Sequence, residues 1–91
     1  MKVEFEPKKR ILTLAERGLD MARAGEIFLE DHLTILDTRK DYGDARFISV
    51  GLSDNRMVFL AWTRRGDVAR IISMRKANDR EQQKYIKQLG R

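Results

Sequence analysis

Hydrophobic and polar positions change their period along this chain. Val3 and Phe5 alternate with charged neighbours, which suits a short edge strand. From Pro7 the spacing becomes helical. Lys8–Arg17 places Ile11, Leu14 and Ala15 on one side, Pro7 fits a first turn where its missing N–H costs nothing, and Gly18 fits the C-cap. Asp20 is a candidate N-cap for a second helix from Met21 to Leu29, with Ala24, Ile27 and Phe28 at core spacing. After Glu30-Asp31 the pattern turns to strands. Leu33–Arg39, Arg46–Leu52, Met57–Thr63 and Val68–Arg75 are β-rich runs, separated by turns at Lys40–Asp44, Ser53–Arg56 and Arg64–Asp67. Such short connections favour an antiparallel meander. Asn78 is a candidate N-cap for a polar last helix, Asp79–Leu89, whose apolar edge is Tyr85, Ile86 and Leu89. The expected fold is α+β: N-terminal helices and a C-terminal helix around a four-stranded antiparallel sheet, with Val3–Phe5 as a candidate short N-terminal edge strand. There are no repeats, low-complexity segments or linkers, so residues 1–91 are expected to form a single domain.

Composition narrows the function. A formal charge of +5 and a pI near 9.9 favour a polyanionic partner, either nucleic acid or an acidic protein. Without cysteine there are no disulfides and no thiolate metal sites. No apolar run reaches membrane-spanning length, and Met1–Glu4 opens no signal-peptide hydrophobic region, so no membrane association and a cytoplasmic location are expected. The sole histidine, His32, has no second ligand at useful spacing, and neither a Gly-rich phosphate loop nor a nucleophile elbow is present. No metal and no cofactor are expected. Met57 and Met74 are assigned to the core. Trp62 is either a base-stacking platform or, in mid-strand, a buried residue.

What remains is cationic: Arg46, Arg70, Arg75 and Lys76, with Tyr85 in the last helix. A buried strand normally avoids arginine unless the guanidinium is paired or reaches water. Strand parity constrains the set. In a regular strand Arg70 shares a face with Ile72 and Met74, and Arg75 shares the other with Ile71 and Ser73. One site uses both only if a bulge intervenes or Arg75 lies beyond the regular strand. Otherwise Arg70 is structural, paired with a carboxylate. Tyr85 has a core reading beside the catalytic one, and Glu81 a reading as the anchor of an arginine.

The wording of this region is distinctive. Arg70-Ile-Ile-Ser-Met-Arg-Lys-Ala77, followed by Glu81 and Tyr85, resembles the C-terminal signature of BrnT-type toxins. Phe5-Glu-Pro-Lys-Lys9 stands where that family has Trp-Asp-Pro-x-Lys, and Leu14 and Gly18 fit its Asn-Leu-x-Lys-His-Gly segment. Arg46–Ser53 and Thr63–Asp67 also match. Three positions depart. Thr13 replaces Asn, Glu16-Arg17 replaces Lys-His, and Ala45 replaces a frequent Glu, leaving Asp44 as the nearest acid.

The resemblance implies a RelE-like fold and a ribonuclease toxin of a bacterial toxin–antitoxin pair, neutralised by a BrnA-like ribbon-helix-helix antitoxin in a hetero-oligomer. Promoter DNA would then be bound only through the antitoxin. Metal-independent RNA cleavage proceeds by attack of the 2′-hydroxyl on the adjacent phosphate. It needs a proton acceptor, a proton donor and charge stabilisation on the phosphorane. Arginine forks suit the last task. Lys76 or Tyr85 could carry protons. Arg17, in the family's His position, can stabilise charge, but a guanidinium cannot serve as the base. The competing reading is a non-catalytic basic module that binds RNA or an antitoxin-like protein.

Overall fold

The computed structural model describes residues 1–90. Strand β1 (Lys2–Glu4) leads into helix α1 (Pro7–Arg17), which Gly18 ends in the left-handed conformation, at φ 68°. A 3-10 turn (Met21–Arg23) and helix α2 (Gly25–Leu29) follow. Strands β2 (His32–Leu36), β3 (Arg46–Ser53), β4 (Arg56–Arg65) and β5 (Val68–Lys76) precede helix α3 (Asp79–Tyr85).

The sheet corrects the expected one. It has five strands in the order β1-β5-β4-β3-β2, and it is mixed. The four-stranded meander is there, but β1 joins it parallel to β5, with Lys2, Val3 and Glu4 opposite Val68, Ala69 and Arg70. The α1 and α2 segments separate β1 from β2, so β1 pairs with the last strand and not with its sequence neighbour.

Element ends shift for local reasons. The expected helix 21–29 is split because the Asp20 carboxylate takes the Ala22 amide, and Arg23 and Ala24 make tight bonds back to Asp20 and Met21. β2 stops at Leu36, not Arg39, because Asp37 accepts the Arg39 amide in an Asx turn. Asp54 and Asn55 both have positive φ, 52° and 61°, the geometry of a tight β3–β4 hairpin turn. The last helix ends at Tyr85, and residues 86–90 continue as turns. Its start is as expected: the Asn78 side chain accepts the Glu81 amide, and Glu81 accepts the Asn78 amide.

Both faces of the sheet carry apolar clusters. On one, Leu19, Met21, Ala24 and Ile27 pack against Val58, Leu60, Trp62, Ala69, Ile71 and Met74. This is the covered face. Trp62 is buried there, stacked on Phe47, and its indole N–H donates to Ser49 Oγ at 2.8 Å. Burial, not base stacking, is therefore its place. Gly51 makes the close approach of α2 possible, since a Cβ there would lie 2.6 Å from Ile27 Cγ2. On the opposite face, Val50, Met57, Ala77 and Leu89 form a smaller cluster with Leu33, Leu52, Phe59, Tyr85 and Ile86, under α3. Met57 and Met74 are both buried, as expected.

Helix α1 buries no residue, and Ile11, Leu12 and Leu14 stay exposed. It is tied down by polar contacts instead. Arg10 meets Asp20 at 2.8 Å, and Lys9 and Arg17 donate to the carbonyls of Ile72 and Met74 on β5. No helix among the described residues is long and apolar enough to cross a membrane.

Candidate active site

The parity conflict between Arg70 and Arg75 is resolved by a bulge. Trp62 of β4 faces Ile71, and Ala61 faces Ser73, so Ile72 is left without a partner. One extra residue flips the alternation of everything after it. Ile71 and Met74 therefore both point into the covered face, and Arg70, Ser73 and Arg75 all point to the other. The bulge is the local device that puts two arginines of one strand on one surface.

β3 and β4 extend that open face. Arg46 faces Thr63, Thr63 faces Arg70, and Arg70 faces Glu4 on β1, a row running across four strands. Arg70 Nη1 lies 3.5 Å from Glu4 Oε1, which also sits 4.0 Å from Arg65. The carboxylate partner anticipated for Arg70 thus exists, yet a third of the arginine side chain remains exposed. Arg46 has no carboxylate partner among the described residues. Its guanidinium lies 4.1 Å from the centre of the Tyr42 ring, and Tyr42 Oη donates to Asp37.

Arg75 stands two rows away, opposite Phe59, which is four residues along β4 from Thr63. At a strand's rise of about 3.4 Å per residue, the two positions are about 14 Å apart. Arg75 lies over the Phe59 ring at 4.5 Å and makes a bidentate pair with Glu81, both bonds 2.8 Å. That pair first, and the Asn78 amide second, pull the Glu81 carboxyl down to about 2. Glu81 is therefore an arginine anchor and a helix cap at once. Between Arg75 and Arg39 lies a hollow of about 90 Å³, walled by Ile48, Phe59, Ala61 and Ser73. Asp37 holds Arg39 as Glu81 holds Arg75, and Arg39 keeps the Asp37 carboxyl below its ordinary range.

The remaining candidates fall elsewhere. Arg75 and Lys76 are the last two residues of β5, one residue longer than the expected Val68–Arg75. Lys76 is the residue after Arg75, so it points to the other side, and the structure does not bring it to the arginine row. Arg17 ends α1 and donates to Met74 O at 2.8 Å along the edge of β5. Its one link to the open face is Ser73, which lines both the arginine hollow and the cleft holding Lys9 and Arg17. Tyr85 is half-buried, edge-on to Phe59, and part of the smaller core cluster. Arg39 and Tyr42 are additions that sequence reasoning missed. One was taken as a strand end and the other as a turn, and the Asp37 turn that places them leaves no periodic signal.

The open face thus carries two cationic stations. Arg46 and Arg70 flank Thr63, and Arg39 and Arg75 flank the hollow. One phosphate cannot reach both, so the surface suits a chain of phosphates. No curated protein matches the chain. The family model described as the ribonuclease toxin BrnT of type II toxin–antitoxin systems matches residues 5–81, which includes every cation of both stations and Arg17 but not Tyr85. The chain belongs to the BrnT family of ribonuclease toxins.

Proposed function

We propose that this protein is a metal-independent endoribonuclease that arrests growth, and that the open face of its sheet holds the RNA backbone. The observation that carries this reading is the bulge at Ile72, which puts Arg70 and Arg75 on the face that Arg46 opens. The arginines bind and orient consecutive phosphates. Their forks also meet the extra negative charge that develops on a phosphate under 2′-hydroxyl attack. Arg46 is the one whose donors are uncommitted to a carboxylate, so it leads. Arg70 and Arg75 are each paired with a carboxylate but stay partly exposed. Lys76, Arg17 and Tyr85 stand as secondary candidates, since none shares the row. A RelE-like fold, a cytoplasmic site of action and a BrnA-like ribbon-helix-helix antitoxin complete the proposal. The antitoxin complex would contact the operon's promoter DNA through the antitoxin.

One observation favours the second reading, a basic module that binds without cutting. The arginine row contains no histidine, and its carboxylates are occupied by arginines. The test separates the two. Purified protein is incubated with RNA and a chelator, and fragments ending in a 2′,3′-cyclic phosphate are sought. Arg46→Ala is expected to lower cleavage about a hundredfold, the effect of removing one donor aimed at developing charge. Arg46→Lys should recover little of it, because an ammonium lacks the fork. RNA binding without fragments would establish the non-catalytic module. Induced expression with and without the adjoining reading frame tests growth arrest and its neutralisation.

A further inference from the structure

The two edges of the sheet are protected very differently. At one edge β1 is three residues long and carries Lys2 and Glu4. Beyond it, Lys9 and Arg17 of α1 occupy carbonyls of β5. These are ordinary ways to keep an edge from pairing. The other edge is β2, and it has none of them. Leu33-Thr-Ile-Leu36 contains no charge, no proline and no bulge, and Ile35 and Leu36 are 60% and 53% exposed.

The hydrogen-bond phase of β2 can be worked out. The Asp37 amide donates to Arg46 O at 2.7 Å, in register with the pairs before it. Asp37–Arg46 is therefore a hydrogen-bonded pair, and alternation makes Ile35–Ile48 and Leu33–Val50 the others. His32, Thr34 and Leu36 then turn their backbone N–H and C=O groups outward, with no protein partner among the described residues.

We propose that this edge pairs with β2 of a second copy of the chain, antiparallel, about a two-fold axis at Thr34. Outward-turned residues must meet outward-turned residues. Centring on Thr34 joins Thr34 to Thr34 and His32 to Leu36 in both directions, the register that engages all three. It also sets Leu33 of one copy beside the exposed Ile35 of its mate. The flanking charges choose the occupant. Acidic Glu30-Asp31 precede the strand, and basic Arg39-Lys40 follow it. Antiparallel self-pairing brings the acidic start of one strand alongside the basic end of the other, twice. Glu30 and Asp31 make no ion pair within the chain among the described residues. Asp37, which would otherwise oppose Asp31, is 4% exposed and turned onto Arg39 and Tyr42. A chain of net charge +5 resists self-association, so local complementarity at the contact is what permits it. This inference does not depend on the nuclease reading.

Sedimentation equilibrium over a concentration series tests it. The parent is expected to show a monomer–dimer equilibrium. Thr34→Pro removes an N–H that the β2–β3 ladder does not use, so the fold is retained, as an unchanged circular dichroism spectrum will show. It deletes both Thr34–Thr34 bonds and should weaken the dimer roughly thirtyfold. Thr34→Val, which keeps the amide and loses only the hydroxyl, should dimerise like the parent. Glu30→Lys should weaken association, and Glu30→Lys with Lys40→Glu should restore it. A parent that stays monomeric throughout overturns the proposal. So does a dimer indifferent to Thr34→Pro, or a charge swap that fails to rescue. A monomer whose Thr34 and Leu36 amides gain protection from hydrogen exchange only when the protein of the adjoining reading frame is added gives the edge to a partner strand instead.

Discussion

The two faces of the sheet are made from the same strands but obey different rules. On the covered face, Val58, Leu60, Trp62, Ile71 and Met74 are nearly dry, in one cluster with Leu19, Met21, Ala24 and Ile27. On the open face, the alternate positions are Arg46, Thr63, Arg70, Ser73 and Arg75, and the arginines are held by ion pairs and aromatic rings that leave charge at the surface. The first face needs shape, and the second needs spacing. Ile72 serves both. Its bulge returns Met74 to the core and, with the same flip, turns Arg75 outward.

Shifting the parity beyond the bulge is thus the severest way to break the comparison. Inserting one alanine between Ser73 and Met74 would send Met74 to the open face and Arg75 into the covered one. Burying an unpaired guanidinium while exposing a core methionine exceeds what a domain of this size can absorb, given a total stability of roughly 5–15 kcal/mol. The variant is expected to be unfolded by circular dichroism, whereas deleting Ile72 removes only the unpaired residue, leaves Met74 and Arg75 on their faces, and should stay folded.

Gly51→Ala acts on the covered face alone. The new methyl would meet Ile27 Cγ2 at 2.6 Å, within a packed cluster, so a loss of about 1–3 kcal/mol is expected by urea denaturation. Ser73→Ala on the open face adds no volume at an exposed position and should stay within about 0.5 kcal/mol. Equal losses at the two positions would mean that the faces are not packed differently.

These contrasts show what could be read ahead of the structure. β3, β4 and β5 announced themselves by alternation and by turn residues such as Ser53–Arg56. The arginines stood out because strands rarely carry them, and the wording from Arg70 to Ala77 tied them to a family. The β1–β5 pairing was hidden, because three residues carry little pattern and the partner begins at Val68. The bulge was nearly hidden. Its one trace is the doublet Ile71-Ile72, where strict alternation fails. Arg39 and Tyr42 were invisible as site residues because an Asx turn, a matter of one side chain and one amide, decides where they go.

Acid tests the link between the open face and α3. The Glu81 carboxyl sits at about 2 in the folded protein against an ordinary 4.5, so the folded state holds fewer protons than the unfolded one between those values. Its stabilising contribution is complete above about pH 4.5 and fades as the pH falls toward 2. Glu81→Gln has no such group to titrate, although glutamine can still complete the helix cap. The stability lost between pH 7 and pH 3 should be smaller in the variant than in the parent, by urea denaturation at each pH. Parallel curves would show that the pair with Arg75 contributes nothing to stability.

The mildest change is at Arg17, and it asks whether the β5 edge belongs to the open face at all. Arg17 gives one hydrogen bond to the Met74 carbonyl, so Arg17→Ala, →Gln and →His should each cost only about 1 kcal/mol of stability. Activity discriminates further. Ser73 lines both the Arg17 cleft and the hollow beside Arg75, and the question is whether an imidazole at position 17 exchanges a proton with bound RNA across it. If it does, Arg17→His should cleave faster than the parent, and the gain should grow as the pH rises through about 6.5, where imidazole becomes a base. Glutamine, similar in polarity but unable to titrate, should show no gain. Should histidine, glutamine and alanine all cleave at the parental rate with matched small losses of stability, Arg17 is a brace for the guarded edge and the nuclease site ends at Ser73.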